Sequence, residues 1–442
     1  MKTLSFRGGI HPPTFKEKTQ EQPIRSFPQP EKVYLPLLQH TGAPLEPLVK
    51  KGDKVKRGQK VADVHAFVAA PLHASIAGTV AGQQDYPHPV RGTFSCLVIE
   101  NDGTNEEEKA EPIQENEIES KEPGFFRDWI REGGMVGLGG AAFPTHVKVT
   151  PPEGKTIDTL ILNGAECEPY LTSDHRVMVE RSKLVVLGAR ILCRACGAKK
   201  ILIGIENNKP ESIAAMREAV SVVPGEWEIR SLPAKYPQGS EKHLILSLLG
   251  RAVPPGGLPL DVGVVVSNVQ TAAYIGRMAQ TGLPLVDRVL TLTGDCLVSP
   301  ANLEVPLGVR LMELVEFCGG LSSEPRKIIM GGPMTGIAQV TMEIPVIKGT
   351  SGFVLTCDLY EKHEYPCIRC GRCVTTCPMH LVPSDLAKFS EFRDFDQARD
   401  WYALDCIECG ICAYGCPSGI PLTQHIKYAK AEIIRRSRKG GK

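Results

Sequence analysis

Residues 367–378 read CIRCGRCVTTCP and residues 406–417 read CIECGICAYGCP, the same cysteine spacing written twice, thirty-nine positions apart. Each run offers three thiols at equal gaps, then a fourth followed by proline. A C-x2-C-x2-C loop wraps three sulfurs around one corner of a cubane iron-sulfur cluster, and the fourth ligand must come from elsewhere. Pro378 and Pro417 keep each following helix from starting early. Zinc usually takes paired CxxC units and disulfides need an oxidising compartment, and neither accounts for this pattern written twice. The spacing points to two 4Fe-4S clusters, which carry electrons one at a time.

The 367–417 segment resembles a two-cluster ferredoxin module. In the bacterial two-cluster pattern the Cys before Pro crosses over to the other cluster. That predicts Cys367, Cys370, Cys373 and Cys416 around one cluster, and Cys406, Cys409, Cys412 and Cys377 around the other.

At 442 residues the chain is long enough for two to four domains. Its 51 basic and 50 acidic residues nearly cancel, which argues against a global nucleic-acid footprint. MKTLSFRGGIHPPTF lacks the layout of a signal peptide, and no apolar run approaches a membrane span. The expectation is a protein soluble by itself, with peripheral membrane association. Fifteen cysteines without an export signal fit a reducing cytoplasm and metal ligation. Outside the two runs, Cys193 and Cys196 sit in KLVVLGARILCRACG, an amphipathic helical pattern that reads as a buried structural pair, while Cys96, Cys167, Cys296, Cys318 and Cys357 are scattered.

Residues 31–100 are rich in short β-type runs and turns. EPLVKKGDKVKRGQKVADV followed by APLHASIAGTVAG resembles the barrel-sandwich hybrid fold of biotinyl and lipoyl carriers. No lysine sits between Val64 and Ala74, where carriers attach their cofactor, so the domain reads as structural or docking. TNEEEKAEPIQENEIESKE, residues 104–122, reads as a solvated linker or surface crossing. From Thr156 onward, strand patterns (DTLILN, KKILIGIE, EWEIRSL, VGVVVSN) alternate with helical ones (SKLVVLGARILCRAC, ESIAAMREAVSVV, SEKHLILSLLG, VQTAAYIGRMAQ). That alternation predicts a parallel sheet covered by helices, with ligands at the carboxyl ends of its strands.

Four segments carry candidate binding residues. In REGGMVGLGGAAFPTHVK, residues 131–148, closely spaced glycines let backbone N–H groups approach phosphate oxygens, and Lys148 adds positive charge. A helical pattern rather than a strand precedes it, unlike a Rossmann fingerprint, and a plain turn is the other reading. In NGAECEP, residues 163–169, Asn163 could bond a ring or ribityl group, while Glu166 and Glu168 could bond sugar hydroxyls or sit beside a nicotinamide; a solvated acidic turn is the alternative. YPQGSEK, residues 236–242, presents Gly239, Ser240 and Glu241 at a helix start, or is an ordinary N-cap. SNVQT, residues 267–271, offers a helix N-terminus to a phosphate, or is capped by Asn268.

Together and in this order the four segments resemble the flavin subunit of respiratory complex I, over roughly residues 125–345. The resemblance implies FMN contacts from Gly137, Gly139, Lys148, Asn163, Gly239 and Asn268, with Thr271 near the phosphate. It implies NAD(H) contacts from Phe143, Glu166, Glu168 and Glu241. Gly140 and Ser240 complete the cofactor-binding set, and Glu166 is the expected catalytic residue. Ser240 departs from a commonly acidic position, and Gln270 replaces the Glu of the family's NVET turn. VDRVLTLTGDCLVSPANLEVPLGVRLMELVEFCGG resembles the β-grasp soluble-ligand-binding domain that follows, expected here to act as a spacer.

The expected architecture is therefore multidomain α/β. It runs from an N-terminal segment with a barrel-sandwich hybrid (1–103) through an acidic linker (104–124) and a Rossmann-like FMN/NADH-binding domain (125–283). A β-grasp domain (284–356) and a helical two-cluster ferredoxin domain with a basic tail (357–442) complete it. In this order the chain resembles the C subunits of Rnf complexes, which exchange electrons between ferredoxin and NAD while moving sodium ions or protons. The resemblance implies an NADH-linked flavin and iron-sulfur oxidoreductase, peripheral on the cytoplasmic face of the bacterial cell membrane, with the iron-sulfur B subunit and membrane subunits as partners. Nicotinamide exchanges electrons in pairs, a cluster singly, and a flavin in both ways. The rival readings are the flavin and iron-sulfur cobalamin reductase of propanediol-utilising microcompartments, in which the Gly-rich loop lies near the N-terminus, and an electron-wiring subunit with a degenerate flavin site. The tail HIKYAKAEIIRRSRKGGK reads as a contact for an anionic membrane or acidic partner, or as a fraying helix end.

Overall fold

The computed structural model describes residues 5–357 and 363–440. The expected N-terminal segment, cluster domain and basic tail therefore extend in part (residues 1–4, 358–362 and 441–442) outside the described residues. Among the described residues, no helix is long and apolar enough to cross a membrane.

The flavin-type domain is built on four parallel strands, in spatial order Glu226–Leu232, Lys200–Glu206, Thr159–Gly164 and Val264–Asn268. Their cores (Leu160 to Leu162, Ile201 to Ile203, Val264 to Val266) are continuous apolar runs because helices cover both faces. Each strand and helix expected from the alternating pattern forms. Gly197, Gly250 and Gly282, all left-handed, end the Ser182–Cys196, Glu241–Leu249 and Val269–Thr281 helices. Cys193 and Cys196 lie on the first of these, each with its thiol against a backbone carbonyl. Its Gly188 faces Gly276 of the Val269–Thr281 helix so closely that a Cβ on Gly188 would overlap the Ala272 carbonyl.

The barrel-sandwich unit pairs an antiparallel sheet of Lys32–Pro36, Gly92–Asn101, Gly78–His88 and Lys54–Val55 with a smaller one of Glu46–Pro47, Lys60–Asp63 and Leu72–His73. Val33, Leu35, Val61, Leu72, Leu97 and Ile99 fill it, and the same apolar cluster runs on into Leu290, Leu303, Val305 and Phe353 of the β-grasp unit. The acidic stretch crosses the surface, anchored by buried Ile113 and Ile118.

The six-stranded β-grasp sheet holds a strand that the sequence did not announce. Ile24–Ser26 pairs parallel with Ala301–Pro306, so the N-terminal segment, grouped by sequence with the sandwich, completes the edge of a distant sheet. Before that strand, the chain runs over the flavin domain. Ile10 and Tyr236 exchange backbone hydrogen bonds at 2.9 Å, Phe15 stacks on Tyr170, and Gly9 N–H donates to the Thr376 carbonyl within the first cysteine run.

The cluster domain consists of short helices, among them Arg372–Thr375 and Ile411–Gly415, around the long Leu422–Gly440 helix. Replacing Gly188 by Ala should destabilise the flavin domain by about 1–3 kcal/mol, the usual cost of overpacking. Thermal unfolding should show a lowered transition, whereas Gly197→Ala, with open space around its Cβ, should cost only the strain of its left-handed backbone.

Candidate functional site

Asn163 lies one residue before the end of Thr159–Gly164 and Asn268 ends the neighbouring strand, and the two are register partners. The chain crosses from Thr159–Gly164 to a neighbour on one side and later returns to place Val264–Asn268 on the other. Such a switch point opens a crevice at the strand ends. A cleft of about 550 Å³ lies there, lined by Gly139, Gly140, Asn163, Glu166, Glu168, Gly239, Ser240 and Asn268 of the expected set.

Asn163 Nδ2 donates to the Gly239 carbonyl at 2.8 Å and its Oδ1 accepts from Ala165 N–H, so one side chain joins two walls. Gly239 has no room for a side chain: a Cβ would stand 2.5 Å from the Ala165 carbonyl. Gly139 faces Asn268, its virtual Cβ 3.4 Å from that side chain. The remaining expected residues brace the cleft from outside its wall. Thr271 Oγ1 accepts from Leu138 N–H at 2.9 Å, buried Arg288 donates to the Leu138 carbonyl at 3.2 Å, and Gly137 N–H bonds the Phe143 carbonyl at 2.8 Å. Lys148 and Glu241 form an ion pair with each other.

The cleft carboxylates are held in place. Glu166 accepts from the N–H groups of Asp174 (2.7 Å) and His175 (3.4 Å), and buried Lys16 lies 3.8 Å from it. Lys16 also donates to the Glu166 carbonyl, beside a buried Lys209–Glu206 pair at 2.8 Å. The side chain expected to be catalytic is thus tied into the protein. Asp174, a cleft residue that sequence reasoning missed, accepts from Asn268 (2.7 Å) and Gln270 (2.8 Å). Burial and the neighbouring Glu166 push it up to about 6. Gln270 departs from the family's Glu with a physical reason: its amide donates to Asp174, where a second carboxylate would repel it. Ser240 Oγ pairs with the His243 ring at 3.0 Å instead of facing a second acid.

Glu168 reaches the β-grasp unit, accepting from Met334 N–H at 3.1 Å and from the Thr335 hydroxyl. Burial raises its pKa above the ordinary carboxylate value. Met330, Gly331, Gly332, Thr335, Gly336 and Ile337 also line the cleft, so the β-grasp unit is a wall of the site and the expectation of a mere spacer is corrected. The short GGPMTG run gave no warning in sequence, having neither charged nor aromatic residues.

Cys377, Cys406, Cys409 and Cys412 line a separate small cavity with Leu381, Ile411 and Ile426 among its apolar walls. Backbone N–H groups of Leu381 and Glu408 point at the Cys377 and Cys406 sulfurs at 3.4 Å. Burial pushes the Cys406 thiol up to about 11 and Cys409 to about 12, so these sulfurs need a bound cation to stay ionised. The donor set suits one 4Fe-4S cluster, with Cys377 crossing over from the first run. Burial, and after it Cys367 and Cys370 among its neighbours, raise the Cys373 thiol. Cys416 is buried against Ala387 and Leu422, with Cys373 and Cys412 packed on the same group. Cys367 and Cys370 are exposed.

Ile407 and Cys409 line both the cleft and the cluster cavity. Tyr236, on the cleft wall, donates its hydroxyl to the Cys409 carbonyl at 2.8 Å, and His243 Nε2 lies 3.0 Å from the Pro378 carbonyl. Gly410 is left-handed (φ 79°), and a Cβ there would stand 2.6 Å from the Met334 carbonyl.

A strand-end cleft shares a wall with a four-cysteine cavity, and the family matches make this a flavin and iron-sulfur electron-transfer protein. Residues 130–277 match the Nuo51 FMN-binding domain, 4–104 the RnfC barrel sandwich hybrid domain, 289–338 the SLBB domain and 366–420 the 4Fe-4S dicluster domain. The chain belongs to the family of C subunits of Rnf-type ion-translocating ferredoxin:NAD+ oxidoreductase complexes. It is 48% identical to the C subunit of the proton-translocating ferredoxin:NAD+ oxidoreductase complex of Clostridium ljungdahlii, over 97% of this chain and 94% of that one. It is 45% identical to the Na+-translocating counterpart of Acetobacterium woodii, over 99% and 98%. To the C subunit of the ion-translocating oxidoreductase complex of Rhodobacter capsulatus it is 40% identical, over 99% and 85%.

Thr335→Val should free Glu168 from one donor and loosen the 331–336 wall at a cost of about 1–3 kcal/mol. Hydrogen exchange should quicken in that loop and stay unchanged in the parallel sheet.

Proposed function

We propose that this chain is the NAD(H)-facing subunit of its complex, passing electrons between NAD(H), FMN and two 4Fe-4S clusters, and from there to or from a partner iron-sulfur subunit at the cytoplasmic face of the membrane. The observation that carries this reading is the wall shared by cleft and cluster cavity through Cys409. FMN, when bound, exchanges an electron pair with the nicotinamide and single electrons with the clusters.

In this reading Gly137, Gly139, Gly140, Asn163, Gly239, Asn268 and Thr271 hold the FMN ring, ribityl chain and phosphate. Asn163 fixes the spacing of two walls, and Thr271 sets the Gly-rich loop through Leu138. Lys148 and Glu241 separate to receive the cofactors, with Phe143, Ser240, Glu166 and Glu168 around the nicotinamide side. Glu166 acts there by orienting the Asp174 and His175 backbone, whose N–H groups its carboxylate accepts. Cys377, Cys406, Cys409 and Cys412 hold the inner cluster, and Cys367, Cys370, Cys373 and Cys416 the outer one. Exposed Tyr365, Ile368 and Tyr414 beside exposed Cys367 and Cys370 form an apolar outlet, with Arg369 and Arg372 suited to an acidic partner. Relatives named for protons and for Na+ resemble the chain almost equally, which supports selection of the ion elsewhere in the complex.

Anaerobic titration with NADH tests this: the flavin absorbance should bleach and reduced-cluster EPR signals should follow. Loss of FMN from the folded chain, with clusters reducible by dithionite but not by NADH, would replace this reading with that of an electron-wiring protein. Cys377→Ser should lower bound iron from about eight to about four per chain. NADH should still bleach the flavin in that variant, and the electrons should stop there. Loss of the outer cluster instead would refute the crossover.

A further inference from the structure

Beyond the cleft and the two cysteine runs, the end of the β-grasp sheet holds a third group of metal-ligating side chains. Asp287–Gly294 and Gly352–Thr356 run parallel, with Gly294 opposite Leu355. Two residues past that pair on each strand stand Cys296 and Cys357. Asp295 and Cys296 are fixed by N–H bonds to the Leu355 carbonyl at 3.1 and 3.5 Å, and the Cys296 carbonyl accepts from Ser322 N–H at 2.8 Å. The Asp295 carboxylate and the two thiols each place a ligand atom within 4.8 Å of the others.

We propose that Asp295, Cys296 and Cys357 bind a thiophilic divalent cation of the zinc class, separate from the iron-sulfur clusters. Tetrahedral zinc, with Zn–S of about 2.3 Å and Zn–O of about 2.0–2.2 Å, sets sulfur and oxygen about 3.5 Å apart. Cys296 Sγ stands 3.5 Å from Asp295 Oδ1. That oxygen also accepts the Cys357 N–H at 2.9 Å, and the other accepts the Thr356 hydroxyl at 3.1 Å, so the carboxylate is aimed before any ion arrives. Cys296 is buried and Cys357 half-buried, which shields the sulfurs, and a water would complete the four ligands of tetrahedral zinc. Binding exchanges two thiol protons for the cation: M2+ plus two SH groups gives the dithiolate complex and two H+.

A disulfide is the competing chemistry for two nearby thiols. The carboxylate beside them disfavours a free thiolate as attacking nucleophile, whereas a bound cation offsets the charge of the carboxylate and both thiolates together. Cys357 is where the chain leaves the β-grasp sheet towards the cluster domain. The ion would tie that exit to the turn after the neighbouring strand.

The test uses the full, cluster-loaded chain, purified anaerobically, incubated with Zn2+ and then passed over a weak chelator, with zinc, iron and flavin measured together. One zinc per chain is expected in addition to the cluster iron. Cys357→Ser and Cys296→Ser should each lower it below about a tenth of an equivalent with iron unchanged, and Asp295→Asn should weaken zinc affinity about tenfold or more. Co2+ should give the visible bands of a tetrahedral thiolate site in the wild type and not in Cys357→Ser. Should burial make Cys296→Ser fold poorly, its iron content will report it, and the strand-end Cys357→Ser decides. Equal zinc in wild type and Cys357→Ser overturns the proposal, as does a Cys296–Cys357 disulfide in the protein as purified.

Discussion

The register that sets Asn163 beside Asn268 is the constraint on which the rest of the site depends. Two parallel strands ending level at a switch point leave a crevice that backbone alone creates. The asparagines then divide its upkeep: one joins the Gly239 loop to the strand end, and the other caps the Val269–Thr281 helix while holding Asp174. A shift of one residue in either strand would turn one asparagine to the opposite face of the sheet.

Around that crevice the protein buries several charged groups, and the pattern of partners explains how. Lys16, Lys209, Glu166 and Glu206 offset one another beneath the floor, and Asp174 is met by two amide donors. Removing one member of such a set is costlier than the set is stabilising, because an unpaired charge is left in a poorly solvated place. Lys16 shows what the N-terminal segment contributes. It reaches the floor of the cleft from 150 residues away in sequence, in a stretch that also touches the cluster domain through Gly9.

Electron transfer asks the scaffold for short separations and little motion between centres. Tyr236 on Cys409, His243 on Pro378 and the close approach of Gly410 to Met334 meet that demand with contacts from three different units. The β-grasp loop held by Glu168 lies in the middle of them. Its glycines matter because the loop folds tightly against its anchor: a Cβ on Gly332 would overlap the Glu168 side chain, and one on Gly336 the Gly332 carbonyl.

Much of this was legible in the chain itself. Three thiolates at fixed gaps must meet one cluster face because the spacing is local, and continuous apolar runs between helical patterns leave few options besides a covered parallel sheet. The candidate turns were equally readable, since strand ends and glycines mark them. What tertiary structure decided were the long-range pairings. It placed Ile24–Ser26 beside Asn302, Leu303 and Glu304 of a sheet far along the chain, turned Glu168 towards Thr335, and gave Asp174 its place in the cleft. It also split the expected cofactor residues into those that line the cleft and those, such as Lys148 and Thr271, that brace it. Local spacing fixes which atoms one loop can gather. Which loops then face each other depends on packing and register summed over the whole chain, and no short stretch of sequence carries that sum.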